Sequence, residues 1–511
     1  MKKNSKPSLG KYFIALSKDS IIYGLGNATL KILALITAPI LTRIFVPSDY
    51  GVISLVASVV SFLSIFLIFG MDAALFVSYY QYKKERKKVI ASAFWFLCTW
   101  GLLLVFVSGF LSGQISILFF KTVSFKTLFV IAFLTAIINI LVSISKVVLR
   151  LEFRAKIFAL ISIVNAVLTT GLIIVFVAYF KKGLLGYFEG QFIGSFFAVV
   201  LTIFFIKNNL KLTVSLPRLK EMVSYGLMVV PSSISFFIFD LSDRFFLNHY
   251  RTLSELGLYS IGINIAGLLV FFSYALNQAW SPQIMKIYFD SKKVFHQFVP
   301  RFLTYYLIFF FTLATLVSIF GLEILKIFTT PKYFDAAKAI GPLTIAMVLS
   351  ASGQVTVLGI TISRKTKYLA LCTFLAAILN IIFNFLLIPR YGIVGAAWAT
   401  ATSYFFLTAT YLWFSQKLIY LKIEWLKVIK ILILGFTVIT LVPFSWRFNF
   451  WVNFVIKICE FASFVLLLYF MGIIEKHEIR SFKMLWKKIF VKIKTFRRKN
   501  DNRQGLPPIQ E

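Results

Sequence analysis

The sequence predicts an all-α polytopic membrane protein of about fourteen transmembrane helices, two parallel six-helix halves followed by two extra C-terminal helices. Three observations predict it. Apolar residues make up 59% of the chain and charged residues 14%, against roughly 25% charged in soluble proteins. Apolar runs of about twenty residues recur from end to end, the length that crosses ~30 Å of hydrocarbon. A helical pattern is also stated twice, about two hundred residues apart, as in transporters that build a central site between two related halves.

The repeat is read directly from the residues. Tyr23-Gly24, Thr42-Arg43-Ile44-Phe45 and Pro47-Ser48-Asp49-Tyr50-Gly51 are echoed by Tyr225-Gly226, Asp243-Arg244-Phe245-Phe246 and Leu253-Ser254-Glu255-Leu256-Gly257. Further on, Gly183-Leu184-Leu185-Gly186 returns as Gly392-Ile393-Val394-Gly395. The first half carries candidate spans near 20–42, 51–79, 90–112, 127–149, 157–179 and 184–206. The second carries them near 221–247, 255–279, 300–321, 335–361, 368–388 and 392–415, followed by 428–444 and 450–472. The domain reading is a first lobe over 1–210, a second over 211–420, two additional spans over 421–474 and a basic cytoplasmic tail over 475–511. The spans near 51–79, 221–247 and 335–361 are long enough to tilt or protrude.

Charge sets the orientation. Most of the 54 Lys and Arg fall in the N-terminus, the even-numbered loops and the tail, with Lys83-Lys84-Glu85-Arg86-Lys87-Lys88 as the clearest marker. The positive-inside rule then makes both termini cytoplasmic, and about six spans per half make the repeat parallel. The net charge of +35 fits loops facing anionic lipid rather than a nucleic acid. Ile479, Phe482, Leu485, Trp486, Ile489, Phe490, Ile493 and Phe496 recur at helical spacing among Lys and Arg, the pattern of an interfacial helix. No cleavable signal peptide is evident. Cys98, Cys372 and Cys459 fall in apolar spans and read as small core residues rather than metal ligands.

The chain lacks a phosphate-cradling Gly-x-x-x-x-Gly-Lys-Ser/Thr loop, a His-Glu-x-x-His pair and a Gly-x-Ser-x-Gly elbow. His249, His296 and His477 have no partner at triad or metal-ligand spacing. Enzymatic activity, an ATP site of its own, a metal and a cofactor are therefore not expected.

Ionisable groups inside hydrocarbon are costly and are functional candidates by default. Lys31 lies near the middle of the first span, one turn beyond Asn27, and a carboxylate such as Asp72 is a possible packing partner. Asn139, Ser143 and Lys146 follow i, i+4, i+7 spacing, a polar stripe along the fourth span; Lys146 also lies close enough to the helix end to snorkel. Asp240 and Arg244 are spaced for an intrahelical ion pair, with Asp243 beside them. With Arg43 at the equivalent end of the first span, they read as a clasp or gate. Glu189 is either a cavity carboxylate or an interfacial residue. Asn165, Asn264, Asn277, Gln278, Gln354, Asn380 and Asn384 spread amides over both halves. Such groups glue helices together, and their spread also suits a hydrated cavity for a sugar-like head group. Pro39 and Pro231 sit inside repeat-related spans, where each removes a helix hydrogen bond and permits bending.

Tyr23-Gly24-x-Gly26-Asn27, Leu41-Thr42-Arg43, Pro47-x-Asp49-Tyr50-Gly51, Gln278-Ala279-Trp280-x-Pro282 and Gly392-x-x-Gly395-Ala396-Ala397-Trp398 together resemble bacterial polysaccharide-repeat flippases. That resemblance, over about residues 10–420, implies the multidrug/oligosaccharidyl-lipid/polysaccharide exporter fold, two six-helix lobes in a V around a central cavity. It implies transport of undecaprenyl-diphosphate-linked oligosaccharides across the bacterial inner membrane for O-antigen, capsule or exopolysaccharide, driven by an ion gradient such as H+ or Na+. The implied partners are the lipid-linked substrate, anionic lipids, and the polymerase and glycosyltransferases of the same pathway. Lys31 has the right sign to face a diphosphate, so Lys31→Ala is expected to abolish export at normal membrane abundance. The rivals are a peptidoglycan-precursor flippase, a cation-coupled drug exporter of the same superfamily, and a membrane-bound glycan polymerase.

Overall fold

The structure is a computed structural model describing residues 33, 36–211, 213–441 and 450–472. Lys31, Asn27, Tyr23-Gly24 and the tail beyond residue 472 lie outside the described residues. Within them every regular element is helical. Two compact units separate at Ile423 and Glu424.

In the first unit, residues 36–44 are helical and lead into α1 (Pro47–Ile68), α2 (Met71–Gln81), α3 (Arg86–Phe110) and α4 (Ser112–Phe120). Then come α5 (Lys126–Leu151), α6 (Ala155–Ile174) with a π-helical turn over Val175–Tyr179, and α7 (Gly183–Ile206). The second half runs α8 (Leu216–Tyr250), α9 (Leu253–Ala266), α10 (Leu268–Asp290), α11 (Lys292–Ile319) and α12 (Gly321–Phe328). It ends with a short 3-10 turn over Pro331–Ala336, α13 (Ala337–Thr356), α14 (Leu358–Ile362) and α15 (Thr366–Leu418). The other unit holds α16 (Trp425–Leu441) and α17 (Phe450–Phe470).

Among the described residues, 10 helical stretches are long and apolar enough to cross a membrane. The last, Thr366–Leu418, is a hairpin of two spans joined at Gly392 (φ +55°). The chain is therefore a polytopic all-α membrane protein. The stretches anticipated as long are long: Pro47–Gln81 and Leu216–Tyr250 each run 35 residues and Pro331–Ile362 runs 32.

Local chemistry explains why the repeat motifs recur. Pro47 opens α1, with the Asp49 carboxylate accepting from the Val46 amide at 3.0 Å. Thr252 caps α9 by accepting from the Glu255 amide at 3.2 Å. An acid in the first turn also complements the positive end of each helix dipole. Gly183 (φ +56°) and Gly392 (φ +55°) make the matching tight turns in the two halves, in the left-handed region glycine occupies without a Cβ penalty.

One apolar span differs from expectation. Residues 47–81 form two helices, because Phe69 (φ +50°) and Gly70 (φ +64°) are both left-handed. A Cβ on Gly70 would lie 2.8 Å from the carbonyl oxygen of Gly226. The cause is thus a close backbone approach by α8, which hydropathy does not record.

Each half is organised around one deeply packed helix. In the first it is α5, which touches α1, α3 and α7; in the second it is α13, which touches α9, α11 and α15. The long α8 belongs to both: its first half packs on α2 and α3, and its end packs on α15. Met222 accordingly joins the apolar core of the first half, while Leu55 of α1 joins that of the second. Pro231 sits inside α8, which stays continuous across it. Cys372 is buried, Cys98 half-buried and Cys459 exposed, so the third is not the core residue anticipated.

Candidate functional site

α5 is buried on most of its circumference by α1, α3 and α7, yet Asn139 and Ser143 are exposed and Lys146 is half-buried. The polar stripe is therefore an open strip on a helix that is mostly enclosed. It borders a cavity of about 400 Å³ lined by Asn139, Asn165, Thr169, Thr170, Tyr187, Gln191 and Ser195, with Thr37 and Leu41 from the preceding helical segment. A second cavity of about 200 Å³, reaching α1 at Ser61, shares Asn139, Tyr187 and Gln191 with it. Among the described residues, Asn165 Oδ1 is buried without a partner. An unpaired amide oxygen at a cavity wall calls for a donor from water or cargo.

Lys146 lies two helical turns along α5 from Asn139. Its ammonium sits 4.9 Å from the centre of the Phe158 ring, a cation–π contact. No carboxylate pairs with it among the described residues.

A second polar cluster lies where the end of α8 meets α9 and α15. The Asp243 carboxylate accepts from the Arg244 amide at 2.8 Å, from Arg244 Nη1 at 3.2 Å, and from the Tyr259 hydroxyl. Arg244 thus pairs with its neighbour Asp243. Toward Asp240 it reaches only the backbone carbonyl, at 3.0 Å, while the Asp240 carboxylate accepts from the Tyr404 hydroxyl at 3.4 Å. The i, i+4 pairing that the spacing permits is not made, because Asp243 is the buried carboxylate and takes the guanidinium. Beside it, Ser242 Oγ donates to Asn380 Oδ1 at 2.8 Å, and Asn384 Nδ2 donates to both Ser242 Oγ at 3.1 Å and Asn380 Oδ1 at 2.9 Å. Asn380 Nδ2 and Asn384 Oδ1 have no partner in this buried cluster.

The remaining candidates scatter. Asn264 is exposed on α9, Arg43 is exposed near the start of α1, and Asp72 is half-buried in the first turn of α2. Glu189 pairs with Lys182 at 2.7 Å. The side chain of Gln278, like Lys31 and Asn27, lies outside the described residues. The structure thus brings together Asn139 and Asn165 in one place, and Asp240, Asp243, Arg244 and Asn380 in another. Gln191, Tyr187, Thr169 and Ser195 were not singled out by the sequence reading. Tyr187, Gln191 and Ser195 are spaced i, i+4, i+8, as Asn165 and Thr169 are i, i+4, so a count of polar residues along one helix face would have found them.

Residues 40–338, more than half of the chain, match the polysaccharide biosynthesis protein family. The chain belongs to that family. An uncharacterized membrane protein of Methanocaldococcus jannaschii is 26% identical over 287 residues, 53% of this chain and 54% of the relative. A Staphylococcus aureus capsular polysaccharide biosynthesis protein, CapF, is 28% identical over 170 residues, 32% of this chain and 42% of the relative. The chain thus spans about half the length of the curated relatives it matches. Among solved structures, the lipid II flippase MurJ in an inward closed conformation superposes with a TM-score of 0.67 at 18% identity, covering 88% of this chain and 99% of MurJ. An inward-facing multidrug-resistance transporter of the MATE family and MOP superfamily gives 0.64 at 15% identity, covering 76% and 94%. The fold is the one these two structures share.

Proposed function

We propose that this protein is a transporter, not an enzyme, and moves undecaprenyl-diphosphate-linked oligosaccharide units from the inner to the outer leaflet of the bacterial cytoplasmic membrane by alternating access. The observation that carries the reading is the open stripe of α5. Along one helix face it carries a lysine with no carboxylate partner among the described residues and, two turns away, Asn139 at a cavity walled by amides and hydroxyls. A diphosphate seeks a cation and a sugar seeks donor–acceptor groups, and here the two lie on one helix face. Family membership supports a polysaccharide pathway, and the capsular relative supports a surface glycan among the possible products. Both termini are cytoplasmic in this reading, with the Lys83–Lys88 loop on the inner face. Anionic lipids hold the basic loops and tail, and the pathway's polymerase and glycosyltransferases are its neighbours. A cation gradient, H+ or Na+, drives the cycle, with the carboxylates Asp240 and Asp243 as the groups most suited to sense it.

The test is mass spectrometry of lipid-linked glycans after depletion of the protein in its native cell. Accumulation of an undecaprenyl-diphosphate oligosaccharide with loss of surface glycan is the expected result. Accumulation of the peptidoglycan precursor, or sensitivity to cationic dyes with neither lipid accumulating, would replace this reading.

A further inference from the structure

At the end of the molecule away from the Lys83–Lys88 loop, the two halves meet through their backbones. Gly51 is the fifth residue of α1 and Gly257 the fifth residue of α9, at repeat-related positions. A Cβ on Gly51 would fall 2.8 Å from the carbonyl carbon of Leu253, and nearer still to its oxygen. One on Gly257 would fall 2.7 Å from the carbonyl carbon of Pro47, again nearer to the oxygen, and 3.0 Å from the Gly51 amide nitrogen. Each helix start thus occupies the space where the other's side chain would be. Around this point the hydrogen bonds between halves also end on backbone carbonyls. The Tyr333 hydroxyl donates to Phe45 O at 2.9 Å, and Asn248 Nδ2 donates to Phe119 O at 2.8 Å. Toward the basic end a similar backbone approach ties α8 to the Phe69–Gly70 break, where a Cβ on Gly70 would lie 2.8 Å from Gly226 O, but at the end itself Arg218 of α8 pairs with Glu85 at 3.0 Å, a contact between flexible, partly exposed side chains.

We infer that the reciprocal Gly51–Gly257 contact is the exit gate of the transport cycle, closed in this structure, and that cargo leaves only when α1 and α9 part there. The inference rests on the orientation and transport reading proposed above. A backbone contact of this sort is all-or-none, since a carbonyl cannot yield as a side chain can. Any residue larger than glycine at either position excludes the closed state, and the population shifts to the open one.

The experiment uses full-length protein carrying Ser61→Cys, a cavity-lining reporter, with Cys98, Cys372 and Cys459 changed to Ser. A membrane-impermeant maleimide is added to intact cells. With an open state populated at about 0.1–10% in the parent, Gly51→Ala and Gly257→Ala should raise the labelling rate by at least about tenfold. Gly109→Ala, where an added Cβ meets nothing within 4 Å, should leave the rate unchanged. Tyr333→Phe removes one hydroxyl and adds no bulk, so it reports even where the glycine variants fail to accumulate. It should raise the rate about threefold, the weight of one average hydrogen bond between membrane helices. Unchanged labelling in well-inserted Gly257→Ala or Tyr333→Phe, or an equal rise in Gly109→Ala, overturns the gate. A rise confined to inside-out vesicles overturns its assignment to the exit side. Because labelling needs no substrate, the gate stands or falls separately from the glycan assignment.

Discussion

Removing one partner of the Asp243–Arg244 pair should be among the most damaging single changes in the second half. The two side chains are 5% and 14% exposed, with Nη1 and Oδ1 3.2 Å apart. Asp243→Ala leaves the guanidinium without its carboxylate and the Tyr259 hydroxyl without its main acceptor. Thr400 Oγ1, at 3.4 Å, is the remaining candidate partner for Tyr259. Breaking such a buried pair from one side costs about 3–5 kcal/mol, most of it the penalty of stranding the surviving charge. Arg244→Ala strands the carboxylate, but that carboxylate keeps the Arg244-position amide and Tyr259 as donors, so its cost should fall at the lower end, about 3 kcal/mol. The double variant strands no charge and leaves chiefly the unpaired Tyr259 hydroxyl, worth about 1–3 kcal/mol. The two single costs should therefore sum to about 6–8 kcal/mol and exceed the double by about 3 kcal/mol or more, at or above the upper end of the range measured for contacting residues. Unfolding of purified protein in mixed micelles, titrated with a denaturing detergent and followed by circular dichroism, supplies the three numbers. Single costs that sum to the double within about 0.5 kcal/mol would mean that the two residues act independently and that the clasp is not a stabilising unit.

Gly392→Ala should cost more than Gly183→Ala by thermal melting. Both impose left-handed strain of about 1–2 kcal/mol, and an added Cβ at 392 must also push aside the movable end of the Glu255 side chain whereas at 183 it meets nothing within 4 Å, so the excess at 392 should be small; a larger melting shift at 183 would contradict this. Arg218→Ala should leave stability nearly unchanged, because its pairs with Glu85 and Glu221 are between partly exposed groups screened by solvent; a clear loss in the same titration would mark the basic end as a structural lock. Lys146→Gln should lower surface-glycan export at least about tenfold, with Lys146→Arg recovering part of it, since one lost charge-assisted contact is worth about 1.5–3 kcal/mol. Pulse-labelled glycan on intact cells measures this, and full export by Lys146→Gln would remove the lysine from the cargo path.

Much of the helix architecture was legible because membrane spans must be long, apolar and internally hydrogen-bonded. The repeat was legible because its residues have local jobs: Asp49 and Glu255 in first turns, Gly183 and Gly392 at positive φ. What stayed hidden depends on which helices meet. Gly70 alone marks the break at Phe69–Gly70 only weakly, since a lone glycine is tolerated in a membrane helix; the close approach that fixes it comes from Gly226, more than 150 positions away in sequence. Spacing alone pointed to Asp240 as the partner of Arg244, whereas Tyr259 and the burial of Asp243 decide otherwise. Asn139 was found because it shares a stripe with a lysine. Gln191 was passed over because it declares itself only together with Tyr187 and Ser195, as a polar line along one face of α7 rather than as a single residue.

The path of α8 has a mechanical consequence. Its 35 residues reach about 50 Å at 1.5 Å per residue, a strut anchored to one half at its start and to the other at its end. In the alternating-access cycle proposed above, two halves joined by such a strut would rock about it rather than drift apart, so that spreading one face would lever the opposite face shut. The compliance that rocking needs lies near mid-strut, where Pro231 leaves one rung of the helix ladder unmade. Stiffening that point, rather than shortening the connection over 207–215, is therefore the change that would stall the machine with its fold intact.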